Sequence, residues 1–129
     1  MKQRGFTVIE LMVVIVLLLV IGVVFLVQKN NIEVAARDDT RKIAINSIYY
    51  NLEEVYYPIH KSYPKTINKA TLPSIDPSLL KDSDGQVIGT AGSDYRYEPT
   101  NCTDTSCSGY TLRADLENEA DYTKTSRNN

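Results

Sequence analysis

The chain has 129 residues, 43% of them hydrophobic and 23% charged, with a formal net charge of −2 at pH 7. This length allows one globular domain beside a membrane segment, and the lack of a basic excess argues against nucleic-acid binding along the whole chain. No catalytic triad, paired-carboxylate pocket, glycine-rich phosphate loop or metal cluster occurs at usable spacing, so we expect no enzyme, cofactor or metal site.

The first element is an apolar segment behind a short basic leader. Residues 1–4 carry two basic side chains, and residues 6–27 stay apolar except at Thr7, Glu10 and Gly22. About 20 apolar residues are enough for a helix to cross a bilayer. The basic leader would remain on the cytoplasmic side, because positive charge is retained there. We therefore expect residues 6–27 to form a helix that can span a membrane once.

Two ordinary interpretations leave part of this segment unexplained. A secretory signal peptide has a positive leader and an apolar core, but this apolar run is long and residues 28–31 contain no small-residue cleavage pattern. A plain single-pass anchor fits the length but gives no reason for the carboxylate of Glu10, which costs a few kcal/mol deep in lipid. A Glu10 that lies solvated at the level of the lipid headgroups is a further alternative.

The segment GFTVIEL at residues 5–11 resembles the class III leader of type IV pilins and type II secretion pseudopilins. The resemblance covers residues 1–27 closely and the remainder only in outline. It implies that residues 1–5 are a prepilin leader, cut by prepilin peptidase between Gly5 and Phe6. It also implies that the same enzyme N-methylates the new amine of Phe6 and that Glu10 becomes the acidic fifth residue of the mature chain.

Glu10 has a physical use in such a chain. A buried carboxylate needs a partner or becomes neutral. Once the leader is removed, Phe6 carries a positively charged amine, which in a bundle of identical helices can reach Glu10 of a neighbouring subunit. That pairing would set the axial register, as a buried polar residue does in a coiled coil. We therefore expect Glu10 to be the subunit-assembly residue.

Residues 28–57 continue the same helix with an amphipathic pattern. No proline occurs between Phe6 and Tyr57 to break it. We expect one helix from residue 6 to residue 57, and two helices joined near residues 28–31 are the alternative. The four tyrosines at its end are expected to lie against a sheet. Apolar residues recur at helical spacing, at Ile32, Ala36, Ile43, Ile48, Leu52, Val55 and Ile59.

Residues 58–93 form a connecting region punctuated by proline and glycine. Pro58 is expected to end the helix, and residues 78–80 are expected to form a single helical turn. The sequence DSDG at residues 82–85 predicts a solvated turn, since it is too short for an EF-hand and lacks its distal glutamate. His60 has no ligand-type neighbours and is expected at the surface. In pilins this αβ-loop region is variable.

Residues 94–117 predict a β-hairpin, because apolar and polar residues alternate on both sides of a polar stretch. That stretch contains Cys102 and Cys107. In a domain that faces away from the cytoplasm we expect these two to form a disulfide. A metal site is the alternative, although two cysteines alone cannot complete a tetrahedral zinc shell. Residues 118–129 are expected to be a frayed polar tail.

The order of a long helix, a variable loop and a small antiparallel sheet packed on the second half of the helix resembles the α+β pilin fold. The resemblance implies a structural subunit of a type IV pilus or related filament, which self-assembles through its apolar helix. Its partners would be prepilin peptidase, the membrane and a pilus or secretion assembly platform, and no nucleic acid is expected.

The same resemblance implies a location and leaves two alternatives. The chain would cross the cytoplasmic membrane once, with its N-terminus cytoplasmic, before it enters a cell-surface or periplasmic filament. One alternative is a pseudopilin of a type II secretion or DNA-uptake system. The other is a non-polymerising, single-pass membrane-anchored binding domain.

Overall fold

A long N-terminal helix begins the part of the chain that the computed structural model describes, residues 5–128. The predicted basic leader, residues 1–4, and the final residue of the predicted tail lie outside the described residues. Helix α1 spans Val8–Tyr50 and continues without interruption into a π-helical segment, Asn51–Tyr56, and a last helical turn, α2, Tyr57–His60. The prediction of one long helix is confirmed, and no joint interrupts it at residues 28–31.

The C-terminal end of this helix lies three residues beyond the predicted one. Pro58 falls at the start of α2, and the helix ends where Lys61 adopts a left-handed conformation with φ of 53°. The prediction that Pro58 ends the helix is therefore wrong. The π-helical turn before Pro58 already departs from the regular α-helical hydrogen-bond pattern. A residue without a backbone N–H is accommodated at that position.

A three-stranded antiparallel sheet follows, with strand order β1-β2-β3. Strand β1 spans Tyr95–Cys102, β2 spans Cys107–Ala114 and β3 spans Tyr122–Thr125. The first two form the hairpin, with Tyr95 opposite Ala114. The prediction of a frayed tail is wrong for β3, which pairs with β2. A short polar strand of this kind has little apolar alternation to reveal it.

The described chain divides into two compact units between Val34 and Ala35, and the hydrophobic core lies in the second. The buried face of the helix follows Ala44, Ile45, Ile48 and Leu52, so Ile43, Val55 and Ile59 of the predicted stripe are exposed instead. Tyr50 is exposed too, whereas the other three tyrosines of the helix end pack partly against the core. The loop and sheet supply the remaining core residues: Tyr63, Ile67, Leu72, Ile75, Leu80, Ile88, Tyr95, Tyr110, Leu112 and Ala114.

The loop between the helix and the sheet is held by short turns. A 3-10 turn, Pro77–Leu80, confirms the helical turn expected there. The carboxylate of Asp82 accepts backbone N–H groups of Asp84, Gln86 and Asp94 at 2.8–3.0 Å. Burial raises the pKa of Asp82, but these bonds outweigh burial and leave the pKa below its ordinary value. The prediction of a solvated turn is therefore wrong for Asp82, which is buried.

A buried ion pair connects the helix to the chain just before β1 and just after β2. Asp38 is only 2% exposed and accepts the backbone N–H groups of Glu117 and Asn118 at 2.9 and 3.1 Å. Arg41 donates to Asp38 at 3.2 Å and to Asp94 at 2.8 Å. Burial raises the pKa of Asp38, but these donors more than compensate and lower it. Asp38 and Arg41 lie between Ala36 and Ile43 of the predicted apolar stripe, so the sequence pattern favours an exposed position for both.

A third buried carboxylate, Glu53, lies in the π-helical segment. The widened turn places two consecutive residues, Leu52 and Glu53, in the interior. The hydroxyl of Tyr110 donates to Glu53 at 2.8 Å, and that of Tyr63 lies 3.0 and 3.1 Å from its two oxygens. Burial raises the pKa of Tyr110, and the bond to Glu53 raises it further. Both tyrosines therefore remain protonated donors.

The buried role of Glu53 predicts a large stability difference between two adjacent glutamates. Glu53→Ala should lower the free energy of unfolding by about 2–4 kcal/mol, because two buried hydroxyls lose their acceptor. Glu54→Ala should cost less than about 1 kcal/mol, since its ion pair with Arg127 is half exposed. Urea unfolding of the full chain in detergent micelles measures both values. Equal losses would contradict the structural role of Glu53.

The hairpin ends in a disulfide. Cys102 and Cys107 are opposite each other at the end of the β1–β2 pairing and are joined by an S–S bond. Cys107 is buried and Cys102 is exposed. The backbone of Tyr63 pairs with Cys107 on its other side, with N–H to O distances of 2.8 and 2.9 Å. The disulfide therefore closes the hairpin tip where the connecting loop meets β2.

Reducing this bond should lower stability modestly. A loop this short contributes about 2 kcal/mol on a chain-entropy basis. We expect a phosphine reductant to lower the melting temperature of the full chain in micelles. The melting temperature of a Cys102→Ser/Cys107→Ser variant should not change when the reductant is added. Free thiols in the untreated protein, detected by alkylation and intact mass, would contradict the pairing.

Candidate functional site

The predicted cleavage position lies in irregular backbone just before the helix. Residues 5–7 belong to no helix or strand, and α1 begins at Val8. Gly5 is exposed, and the side chain of Phe6 is 81% exposed. Apart from Gly5 and its two chain neighbours, no atom of the described residues lies within 4 Å of the place where a Cβ on Gly5 would be. The peptide bond between Gly5 and Phe6 is therefore accessible outside the regular hydrogen bonding of a helix.

Thr7 caps the helix and places Glu10 in its first turn. The backbone N–H of Glu10 donates to Thr7 Oγ1 at 3.3 Å, and the N–H of Leu11 donates to the carbonyl of Thr7 at 3.2 Å. This is N-cap geometry, and Thr-x-x-Glu is the spacing of a capping box. A carboxylate in the first turn also interacts favourably with the helix dipole. Sequence reasoning missed the role of Thr7, which this spacing could have revealed.

The apolar segment behind this cap is uncovered on every side. All of its large apolar side chains are exposed, and Val14, the least exposed of them, is still 43% exposed. Within the described residues, one helix, Val8–His60, has the length and composition to cross a membrane. An apolar surface of this extent on all sides of a helix is typical of a helix that lies in lipid or is packed among other helices.

The predicted site residues belong to different units. Gly5, Phe6 and Glu10 lie in the first unit, before Val34, whereas Cys102 and Cys107 lie in the second. The residues predicted for processing and assembly thus lie within one helical turn of the N-terminal end of α1, and the disulfide lies with the sheet.

Several charged and aromatic side chains of the second unit make structural contacts with one another. Among residues 5–128, no group of three or more His, Cys, Asp and Glu side chains could hold a metal ion. His60 is exposed, as expected, and its ring stacks on Tyr56 with 4.0 Å between centroids. A surface cavity of about 570 Å³ lies beside β1, where Arg96 and Asp115 are paired with each other at 3.0 Å. Its charged groups are thus already partnered.

Comparison with known proteins agrees with the geometry of the N-terminal end. A family model described as the prokaryotic N-terminal methylation motif matches residues 1–26. No curated protein and no solved structure matches the chain. The matched residues contain Gly5, Phe6, Thr7 and Glu10, the same residues that lie before and within the first turn of α1. The chain carries the class III prepilin leader of type IV pilins and pseudopilins, ahead of the long helix and small antiparallel sheet of a pilin-like α+β fold.

Proposed function

We propose that the chain is a structural subunit of a type IV pilus or a related filament. In this proposal prepilin peptidase cuts it after Gly5 and N-methylates Phe6, and copies then assemble through their apolar N-terminal helices. The observation that carries the proposal is the methylation motif directly ahead of a helix whose apolar surface is uncovered on every side. The chain itself performs no catalysis in this role.

The accessible backbone at the leader suits the two processing reactions. Hydrolysis of the Gly5–Phe6 bond releases a primary amine one residue before the N-cap, Thr7. Methyl transfer to that amine requires its neutral form, since the lone pair attacks the methyl donor. An α-amino group has an ordinary pKa of about 8, so a neutral fraction is present near neutral pH. The modified amine then lies about one turn from Glu10.

Before assembly, the proposal places the subunit in the membrane. Residues 6–27 would cross the bilayer and the second unit would lie outside the cytoplasm, where a disulfide persists. Moving the apolar helix from lipid into a bundle of helices gains little hydrophobic free energy, because lipid tails are as apolar as its side chains. The specificity of assembly must then come from packing and from the polar pair of Glu10 with the amine of a neighbouring copy.

The second unit offers further apolar surface for contacts between copies. Ile43, Tyr50, Val55 and Ile59 stay exposed on the helix, away from the core. Burying such side chains contributes about 25 cal/mol for each Å² removed from water. The hydrophobic effect requires water, so it acts on these side chains outside the membrane. It would add to the polar pair that we propose at the other end of the helix.

The same leader occurs in pseudopilins, and the DNA-uptake variant has the least support from this surface. Arg96 and Arg113 on the hairpin are paired with Asp115 and Glu98 at 3.0 and 3.4 Å. An outer face whose arginines are matched by carboxylates lacks the basic excess that attracts a phosphate backbone. A pilus extends from the cell surface, whereas a secretion pseudopilus is retained by the cell. Shearing would therefore release filament in the first case and not in the second.

Processing can be tested at the leader glycine. In cells that contain prepilin peptidase, intact mass should show a chain that begins at Phe6 and carries one added methyl group. Gly5→Val should accumulate the uncut chain, because a branched side chain obstructs the approach of the enzyme to the bond. Gly22→Val, where an added Cβ meets nothing within 4 Å, is the matched control and should be cut normally. An uncut parent chain would refute the processing proposal.

Assembly can be tested separately at Glu10. Glu10→Leu should leave cleavage and membrane insertion intact but reduce filament recovered by shearing about tenfold or more, since a charge-assisted pair worth roughly 1.5–3 kcal/mol is lost at each contact. Glu33→Leu, which removes an exposed pair with Lys29, is the control. Unchanged filament recovery in Glu10→Leu would refute the role of Glu10 in assembly, whereas a parent chain that yields no filament would favour a membrane-anchored domain that does not polymerise.

A further inference from the structure

The last residues of the described chain form a strap across the sheet and the helix. We call residues 122–128, which comprise β3 and the three residues after it, the C-terminal strap. Within it only Ser126 is buried. Strand β2, by contrast, buries Tyr110, Leu112 and Ala114. Tyr122 is the one aromatic side chain of the strap, and it is partly buried against the core and donates its hydroxyl to Asn46 at 3.0 Å. The strap therefore removes less apolar surface from water than β2 does, and segments of this kind belong to the low-stability end of a structure.

Polar contacts to the helix hold the end of the strap. The backbone N–H of Arg127 donates to Glu53 at 3.2 Å, and Asn128 Nδ2 donates to the same carboxylate at 3.4 Å. The guanidinium of Arg127 donates to the hydroxyl of Tyr49 at 3.0 Å and pairs with Glu54 at 2.8 Å. Two adjacent carboxylates thus face the end of the strap.

The strap has the opposite charge. Lys124 and Arg127 are its two cations, and each lies 5.4 Å from the centroid of the Tyr49 ring. The region of the helix that receives the strap carries the charges of Glu53 and Glu54. Arg127 and Glu54 are both about half exposed, so salt screens their attraction and the hold on the strap depends on ionic strength.

Glu53 keeps hydrogen-bond donors whether the strap is bound or not. The hydroxyls of Tyr63 and Tyr110 reach it from the loop and from β2, and both residues lie outside the strap, although Tyr63 also contacts Asn128. A buried carboxylate without donors would be costly, and these two hydroxyls avoid that cost when the strap leaves. The receiving surface is thus preorganised, and water can replace the contacts made by Arg127 and Asn128.

The segment before the strap is anchored separately. The backbone N–H groups of Glu117 and Asn118 donate to Asp38, and Glu119 pairs with Lys42 at 2.8 Å. Residues 120–121 are exposed and lie between these anchors and β3. Asp121 also lies 3.8 Å from the guanidinium of Arg113 on β2, in a partly exposed pair. A pivot at these two residues breaks at most that pair and leaves the contacts of Asp38 in place.

We propose that the C-terminal strap opens and closes as one unit about residues 120–121, with the Glu53 carboxylate as its latch, while the core and β1–β2 stay folded. Opening frees the backbone positions of β2 that pair with β3, from Thr111 to Ala114, and also Tyr110, whose carbonyl accepts the N–H of Ser126 at 3.0 Å and whose N–H donates to Ser126 Oγ at 3.3 Å. It uncovers this strand edge beside Glu53 and Glu54. The strap is thus a conformational device whose open state differs from the unfolded chain.

Hydrogen exchange of the full chain in detergent micelles tests this proposal. Amides of residues 122–126 should exchange at least tenfold faster than the slowest amides of β1, because they exchange by local opening. Arg127→Ala should accelerate exchange of the strap by about five- to twentyfold, since it removes a cation–π contact, a hydrogen bond and an ion pair. It should leave the slowest β1 amides within twofold. Raising salt should also accelerate exchange of the strap alone.

Arg96→Ala is the matched control, because Arg96 is also an exposed arginine paired with a carboxylate but lies on β1. It should leave exchange of the strap unchanged. Equal exchange rates for residues 122–126 and for the slowest β1 amides in the parent chain would overturn the proposal. So would an Arg127→Ala variant that accelerates both segments equally, since either result means that the strap opens only when the whole unit unfolds.

Discussion

The constraint behind this molecule is that one continuous helix must satisfy two environments. The first half of α1 is apolar on every side and has no cover of its own within the described chain. The second half buries only one face, along Ala44, Ile45, Ile48 and Leu52. A helix satisfies its own backbone hydrogen bonds, so it can pass from lipid or a helical bundle into water without losing any. This property allows one element to serve both as an anchor and as the support of a domain.

Within the second unit, buried carboxylates connect elements that are distant in sequence. Asp38 receives N–H groups from beyond β2, Asp82 receives one from the start of β1, and Glu53 receives hydroxyls from the loop and from β2. Each is buried, and each has several donors, which is the condition under which burial of a polar group is tolerated. A small sheet of three strands has limited apolar area, so these contacts specify how it lies on the helix.

Patterns that are local in sequence predicted much of this fold. The long helix follows from its apolar content and the absence of proline, and the hairpin follows from alternation around the two cysteines. The leader is contiguous, so the candidate site could be recognised from residues 5–11 alone. Burial of Asp38 and Glu53 could not be predicted, because their donors, such as the N–H of Glu117 and the hydroxyl of Tyr110, are 79 and 57 residues away. Strand β3 was missed because its side chains are mostly polar and its partner is what orders it.

Glu10 and Glu53 show two ways to accommodate a carboxylate on the same helix. Glu53 is enclosed by donors of its own chain and needs nothing from outside. Glu10 lies in a turn whose cap, Thr7, bonds the backbone of Glu10 and leaves its carboxylate exposed. In water such a carboxylate is stable, but among apolar helices it would cost several kcal/mol without a cation. In our proposal, cleavage after Gly5 releases an amine at Phe6, which is a cation at the same end of the helix, and a neighbouring copy can bring one to each Glu10. The chain thus completes internally the site that stabilises its fold, and leaves incomplete the one that our proposal assigns to assembly.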